Sequence, residues 1–216
     1  MILKTIKYEL QNILSGASGS SHDAVIQAIS HHLKRSERTS PTAEEKHKNK
    51  PQETTRLIKY AHTHNLFYKN VLEENYISEG AEQKVFIMGS DAVIKLNDGI
   101  YYASWEDYFH NLLLHNYFFS DTAYQFLGFH LKENVLYAVV KQNYIKSDEQ
   151  TELSNVKLFL AKNGFENTKN HDYYHLELGI ILEDLHDENV LTQNGILYFI
   201  DTVFYVNPEI FWKDIR

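Results

Sequence analysis

The chain has no cysteine among its 216 residues. That removes disulfides, thiolate zinc sites and cysteine nucleophiles together, and it fits a reducing compartment. Long apolar runs are also missing. No stretch approaches the about 18 consecutive apolar residues of a membrane helix, and the opening MILKTIKYELQNILSG is interrupted by Lys4, Lys7 and Glu9, unlike a secretory signal. A cytoplasmic protein with no membrane partner is expected. Positive charge is scarce: 21 Lys and Arg stand against 29 Asp and Glu, for a formal net charge of −8. Binding along a phosphate backbone depends on clustered cations, so no nucleic-acid partner is expected. There is no G-x-S-x-G and no H-E-x-x-H, which argues against a serine hydrolase and a zincin. Of the twelve histidines, His62 and His64 sit two apart on a predicted helix and point to different sides. His115 and Asn116 read as a satisfied core pair.

What the chain does have is concentrated downstream. Hydrophobic residues make up 43% of it, enough for one good core, and most of the aromatic residues lie after residue 66. The segment KRSERTSPTAEEKHKNKPQE (34–53) has no large apolar residue and cannot offset its ordering entropy, so it reads as an exposed or mobile linker. The domain boundary is placed near residue 50, giving a helical N-terminal extension with its linker (1–50) and a main domain (51–216). In the extension, Ile2, Ile6, Leu10, Ile13 and Leu14, then Val25, Ile26, Ile29 and Leu33, fall at helical spacing on either side of GASGSS.

The main domain reads as α+β. ETTRLIKYAHTHN suits a helix, and QKVFIMGSDAVIKL suits two strands joined at Gly89, Ser90 and Asp91. Ser104 can cap the helix WEDYFHNLLLHNYFF. YQFLGFHLKENVLYAVVKQNYI is a strand pair around KEN, residues 153 to 162 form a helix stopped at Asn163 and Gly164, and NVLTQNGILYFIDT is a hairpin around Asn194 and Gly195.

One short run carries chemistry. LEDLHDENVL (182–191) aligns Asp184, Leu185 and Asn189 with the Asp, Leu and Asn of the catalytic-loop pattern H-R-D-L-x-x-x-N. Phosphoryl transfer needs a carboxylate to orient the attacking hydroxyl and oxygen ligands for magnesium. Asp184 suits the first task and Asn189 the second. Asp201, at the end of ILYFIDT across a hairpin, suits the second metal position, so both carboxylates are expected to face one cleft. Lys95 in AVIKL matches the strand lysine of V-A-I-K that meets the α and β phosphates. Asp187 and Glu188 read as exposed loop acids and His186 as a polar filler.

Residues from about 78 to 206 resemble the serine/threonine/tyrosine kinase domain found in polyvalent proteins, the multidomain proteins of phages and mobile elements. EGAEQKVF, VIKLND, LLLHNYFF, AYQFLGF, LYAVVKQNYI, LEDLHDENVL and YFIDT carry the likeness. The resemblance implies a compact bilobal kinase-like fold with a small antiparallel N-lobe sheet and a reduced C-lobe. It also implies ATP and Mg2+ as cofactors, and transfer of the γ-phosphoryl group to a hydroxyl on a protein or small molecule. On this likeness Gly80, Ala81 and Glu82 cover the phosphates, Glu106 pairs with Lys95, and backbone near Lys141, Gln142 and Asn143 meets adenine.

The departures from the pattern define the alternatives. Leu182 and Glu183 replace the His and Arg, Val203 replaces the Gly of D-F-G, and EGAEQKVF has the single glycine Gly80. The chain ends 15 residues after Asp201 without an A-P-E segment, so the substrate side is expected to be truncated or supplied elsewhere. A pseudokinase or nucleotide-binding regulatory module is one alternative. A small-molecule phosphotransferase resembling the aminoglycoside family is the other.

Overall fold

A computed structural model describes residues 2–17, 23–34, 43–80 and 83–213, with the side chains of 43–48 excepted. In chain order the elements are α1 (Ile2–Leu14), α2 (Ala24–Lys34), α3 (Ala43–Thr63), β1 (Tyr76–Glu79), β2 (Gln83–Met88), β3 (Ala92–Asn97), α4 (Trp105–Phe118), β4 (Gln125–Lys132), β5 (Val135–Asn143), α5 (Leu153–Lys162), β6 (Glu166–Lys169), β7 (Asp172–His175), β8 (Ile180–Glu183), β9 (Val190–Gln193), β10 (Ile196–Phe199), β11 (Val203–Val206) and α6 (Pro208–Phe211). Each named strand pairs antiparallel with its neighbours, so the class is α+β. None of the described helices is long and apolar enough to cross a membrane. Contacts divide the chain into two compact units.

The sheet unit comprises Gly19–Leu112 and Tyr124–Tyr144. Its five strands run in the order β1-β2-β3-β5-β4. β3 lies in the middle and is buried along its whole length, as expected of an apolar stretch with the β-branched pair Val93 and Ile94 in a central strand. Phe86, Ile94, Leu96 and Val139 form a core patch, with Tyr68, Val71, Leu127 and Tyr137 packed against it. The KEN turn forms where expected: Glu133 and Asn134 both have positive φ, 51° and 66°, the geometry whose twist suits a two-residue hairpin.

The expected linker is partly helix. α3 starts at Ala43 and runs through Pro51. Tertiary bonds hold the stretch that composition alone leaves loose. The Lys50 ammonium donates to the carbonyls of Gly99 and Tyr102, and Thr54 Oγ1 accepts from Trp105 Nε1 at 2.9 Å. Glu53 is only 2% exposed and accepts the Trp105 N–H at 2.7 Å. An acid at the start of α4 complements the positive end of that helix. Ser104 caps the same end, accepting the Asp107 N–H at 3.0 Å and donating to its carboxylate at 2.7 Å.

The loop unit comprises Met1–Ser18, Leu113–Ala123 and Ile145–Arg216. It holds a four-stranded sheet in the order β11-β8-β7-β6 and the separate β9–β10 hairpin. Asn194 and Gly195 turn that hairpin with φ of 51° and 73°. Phe118 stacks on Phe204 and Phe119 on Phe199, at 5.5 and 4.1 Å between ring centroids. α1 departs from its apolar stripe. Ile2 is exposed, and the buried face is Lys7, Leu10, Gln11 and Leu14. Lys7 Nζ donates to the Glu177 carbonyl at 3.3 Å and Gln11 Nε2 to the Phe211 carbonyl, so two polar side chains are buried with partners.

Candidate active site

The acids of the phosphotransfer pattern come together in the loop unit. β8 ends at Glu183, and Asp184 takes a φ of 64°, a left-handed conformation that Asp adopts more readily than most residues. Its N–H donates to Asp172 Oδ1 at 3.2 Å. The next residue, Leu185, is fully buried and anchors the loop from below. Its N–H donates to the His171 carbonyl at 3.2 Å. The Asp184 side chain meanwhile stays 60% exposed.

Asn189 ties the cluster. Its Nδ2 donates to the Asp184 carbonyl at 2.8 Å and to Asp184 Oδ2 at 3.1 Å. Its main-chain carbonyl accepts from Ile200 N at 2.9 Å and Asp201 N at 3.3 Å. Residues twelve apart are thus held side by side, and β11 returns along β8 with Val203 opposite Glu183. The Asn189 amide nitrogen is thus committed to Asp184, and its Oδ1 is an oxygen of the kind a hard cation takes. Asp184, Asn189 and Asp201 therefore offer hard oxygen donors, which suit a cation such as magnesium. Among the described residues no group of three or more His, Cys, Asp or Glu side chains is arranged to hold a metal ion. Magnesium held through one or two carboxylates together with nucleotide phosphates needs no such cage.

A buried chain of hydrogen bonds supports Asp201 from behind. Thr202 Oγ1 lies 2.7 Å from His115 Nδ1, and His115 Nε2 lies 3.0 Å from the Thr122 carbonyl. A carbonyl only accepts, so Nε2 carries the proton and Nδ1 accepts from the threonine hydroxyl. Thr122 Oγ1 donates onward to the Phe199 carbonyl at 2.5 Å. Of the expected core pair, His115 is buried and satisfied but Asn116 is only half-buried, and the His115 partner Thr202 was missed although it adjoins Asp201. Asp172 was missed too, since a strand-opening acid carries no local signal. His186 does more than fill space: Nδ1 accepts the Glu188 N–H at 3.3 Å, and Nε2 lies 3.0 Å from Asn189 Nδ2 and 3.5 Å from Asp184 Oδ1. Glu183, standing where the pattern has Arg, has its carboxyl pKa raised by burial first and then by Asp172 and Asp184.

In the sheet unit, Lys95 lies on β3 between Val85 and Val140. It is 4% exposed, with Nζ 5.6 Å from the centre of the Tyr124 ring, a cation–π distance. Glu106 occupies the first turn of α4 and pairs with His110 at 3.6 Å. Gly80 closes the β1–β2 turn, its N–H donating to the Gln83 carbonyl at 2.9 Å. Ala81 and Glu82 lie outside the described residues. Gln142 and Asn143 are still in the β5 ladder, opposite Val93 and Ala92.

The model of a family described as the serine/threonine/tyrosine kinase found in polyvalent proteins matches residues 50–208. The chain belongs to this kinase family. No curated protein and no solved structure matched it. The matched span begins within α3, before the first quoted motif, and runs past Asp201 into α6. Lys95, Asp184, Asn189 and Asp201 all lie inside the kinase match.

Proposed function

We propose that the protein is an ATP- and Mg2+-dependent phosphotransferase, a small Ser/Thr/Tyr protein kinase that transfers the γ-phosphoryl group to a hydroxyl. Residues 51–216 carry the chemistry, and residues 1–50 are an extension to it. The observation that carries the reading is the Asn189 clamp, which holds the Asp184 carboxylate and the Asp201 backbone to one loop. Asp184 orients the acceptor hydroxyl and takes its proton. Asn189 Oδ1 and the Asp201 carboxylate are the ligands for Mg2+, which offsets phosphate charge when bound. Lys95 faces the α and β phosphates, with Glu106 setting its position. Gly80, Ala81 and Glu82 supply backbone amides above them, and backbone at Gln142 and Asn143 meets the base.

The test is ATP turnover by the purified chain with magnesium, beside Asp184→Ala and Asp201→Ala. Each substitution is expected to lower turnover by a factor of about 10² to 10⁴. Equal turnover by all three proteins removes the assignment. Glu183 in place of the catalytic-loop Arg, and the single glycine of the phosphate turn, favour a second reading as a nucleotide-binding regulatory module. A rise in melting temperature with ATP and magnesium, without transfer to protein or aminoglycoside acceptors, selects that reading.

A further inference from the structure

The sheet unit contains a cleft of about 650 Å³, whose lining includes His62, Asn65, Phe67, Lys69, His130 and Leu131. Among the described residues no acid lines it, in a chain whose formal charge is −8. One wall is a sheet edge, because β4 is the last strand of the five. With the two-residue turn at Glu133 and Asn134, alternate residues of β4 direct N–H and C=O at β5 and the others direct them outward. Phe129 is an outward residue. Its N–H donates to the Leu66 carbonyl and its carbonyl accepts the Tyr68 N–H, both at 2.7 Å, in a parallel bridge centred on Phe67. The bridge goes no further. Leu131, next in the same alternation, is 43% exposed, and among the described residues nothing bonds its outward N–H and C=O.

Of the side chains lining the cleft, His62, Lys69 and His130 are basic, Asn65 and Tyr68 are polar and uncharged, and the others are apolar. Among the described residues Lys69 has no ion-pair partner. His130 Nδ1 lies 3.2 Å from the Tyr68 carbonyl and so carries the proton there, and the His62 ring packs on Phe67 at 4.7 Å between centroids. Glu73, a carboxylate whose pKa His130 influences, is already engaged by Lys132, which holds it below its ordinary value. An isolated anion would satisfy Lys69 and leave the Leu131 pair unmet. A peptide in extended form meets both.

We infer that the outer edge of β4 binds an extended acidic peptide segment, which adds a strand at Leu131 and sets a carboxylate against Lys69. Main-chain bonds to a sheet edge supply affinity in this mode, and side chains on alternate residues supply selectivity. An edge left open and unguarded is otherwise a liability. The site is independent of the phosphotransfer reading.

The test uses the full 216-residue chain, labelled with 15N, titrated with a capped hexapeptide of alternating glutamate and valine. Two control peptides carry lysine in place of glutamate, or N-methyl groups on alternate amides. Saturable shifts centred on the Leu131 and Lys69 amides are expected, with the acidic peptide at least about ten-fold tighter than either control. Lys69→Glu, at an exposed position, is expected to weaken it by about ten-fold while leaving the rest of the spectrum unchanged. Absence of saturable binding, equal binding of the glutamate and lysine peptides, or shifts away from β4 overturns the proposal. Undiminished binding of the N-methylated peptide, or tripolyphosphate producing the same shifts at the same affinity, also overturns it by showing a plain anion site.

Discussion

Lys95 and Asp184 are held in place by opposite means. Lys95 is buried in the central strand of the sheet unit, where ladder register on both sides fixes its backbone. Asp184 is on an exposed loop of the loop unit, where a left-handed φ and side-chain hydrogen bonds from Asn189 fix it. A buried ammonium is costly without compensation, and the Tyr124 ring at 5.6 Å is one source of it. An exposed carboxylate carries no such cost, and local turn geometry suffices. The cation is thus placed by long-range pairing and the acid by short-range bonding.

The sharpest way to break this comparison is to remove both groups. Lys95→Met keeps the length of the side chain and deletes its charge. On the proposed function it and Asp184→Ala are each expected to lower kcat/KM by about 10² or more. If the two serve one nucleotide, the double variant loses less than the product of the single losses. A fully multiplicative loss in steady-state kinetics would show that they act separately.

Backbone substitutions probe the two means of support next. At Gly128 the φ is +139°, and an added Cβ would lie 2.3 Å from the Leu66 carbonyl oxygen. At Gly179 the φ is +66°, and the Cβ would lie 2.9 Å from Phe211 N. Urea unfolding is expected to show losses of about 3 kcal/mol for Gly128→Ala and about 2 kcal/mol for Gly179→Ala. Gly195→Ala, with nothing within 4 Å, is expected to lose about 1 kcal/mol through φ alone. Equal losses at all three positions would mean that close approach contributes nothing.

A pH titration separates the units more gently. His175, in the loop unit, has its pKa lowered chiefly by burial, and its Nδ1 accepts the Leu178 N–H at 3.3 Å. The folded state therefore prefers the neutral ring. This contribution is complete above the ordinary value of 6.5 and is lost as pH falls from there through the depressed folded value. His175→Gln is expected to flatten that part of the stability profile, and an unchanged slope would remove the claim. The smallest effect expected is Ser104→Ala, about 1 kcal/mol from the lost cap of α4, read as a shift in the urea midpoint.

Elements with strong local signals were legible in advance. The hairpins at Gly89–Asp91, Glu133–Asn134 and Asn194–Gly195, the Ser104 cap and the stop of α5 at Gly164 all stand where turn and cap chemistry put them. β1, β6, β7, β8 and β11 were not named from sequence. Each is four residues long, too short to display a period, and unlike the equally short β9 and β10 none belongs to an Asn-Gly hairpin. The helical stretch of α3 before Glu53 was missed because its support comes from Gly99, Tyr102 and Trp105, some fifty residues away.

The candidate site divides along the same line. Spacing within one loop was enough to nominate Asp184 and Asn189, and the hairpin after them to nominate Asp201, because close neighbours along the chain have little freedom to separate. Family membership too was visible in the motifs alone. Only tertiary structure could bond His115 to Thr202 and bury Glu53 at the start of α4, since contacts between distant residues depend on which faces pack together. No local pattern of residues encodes that choice.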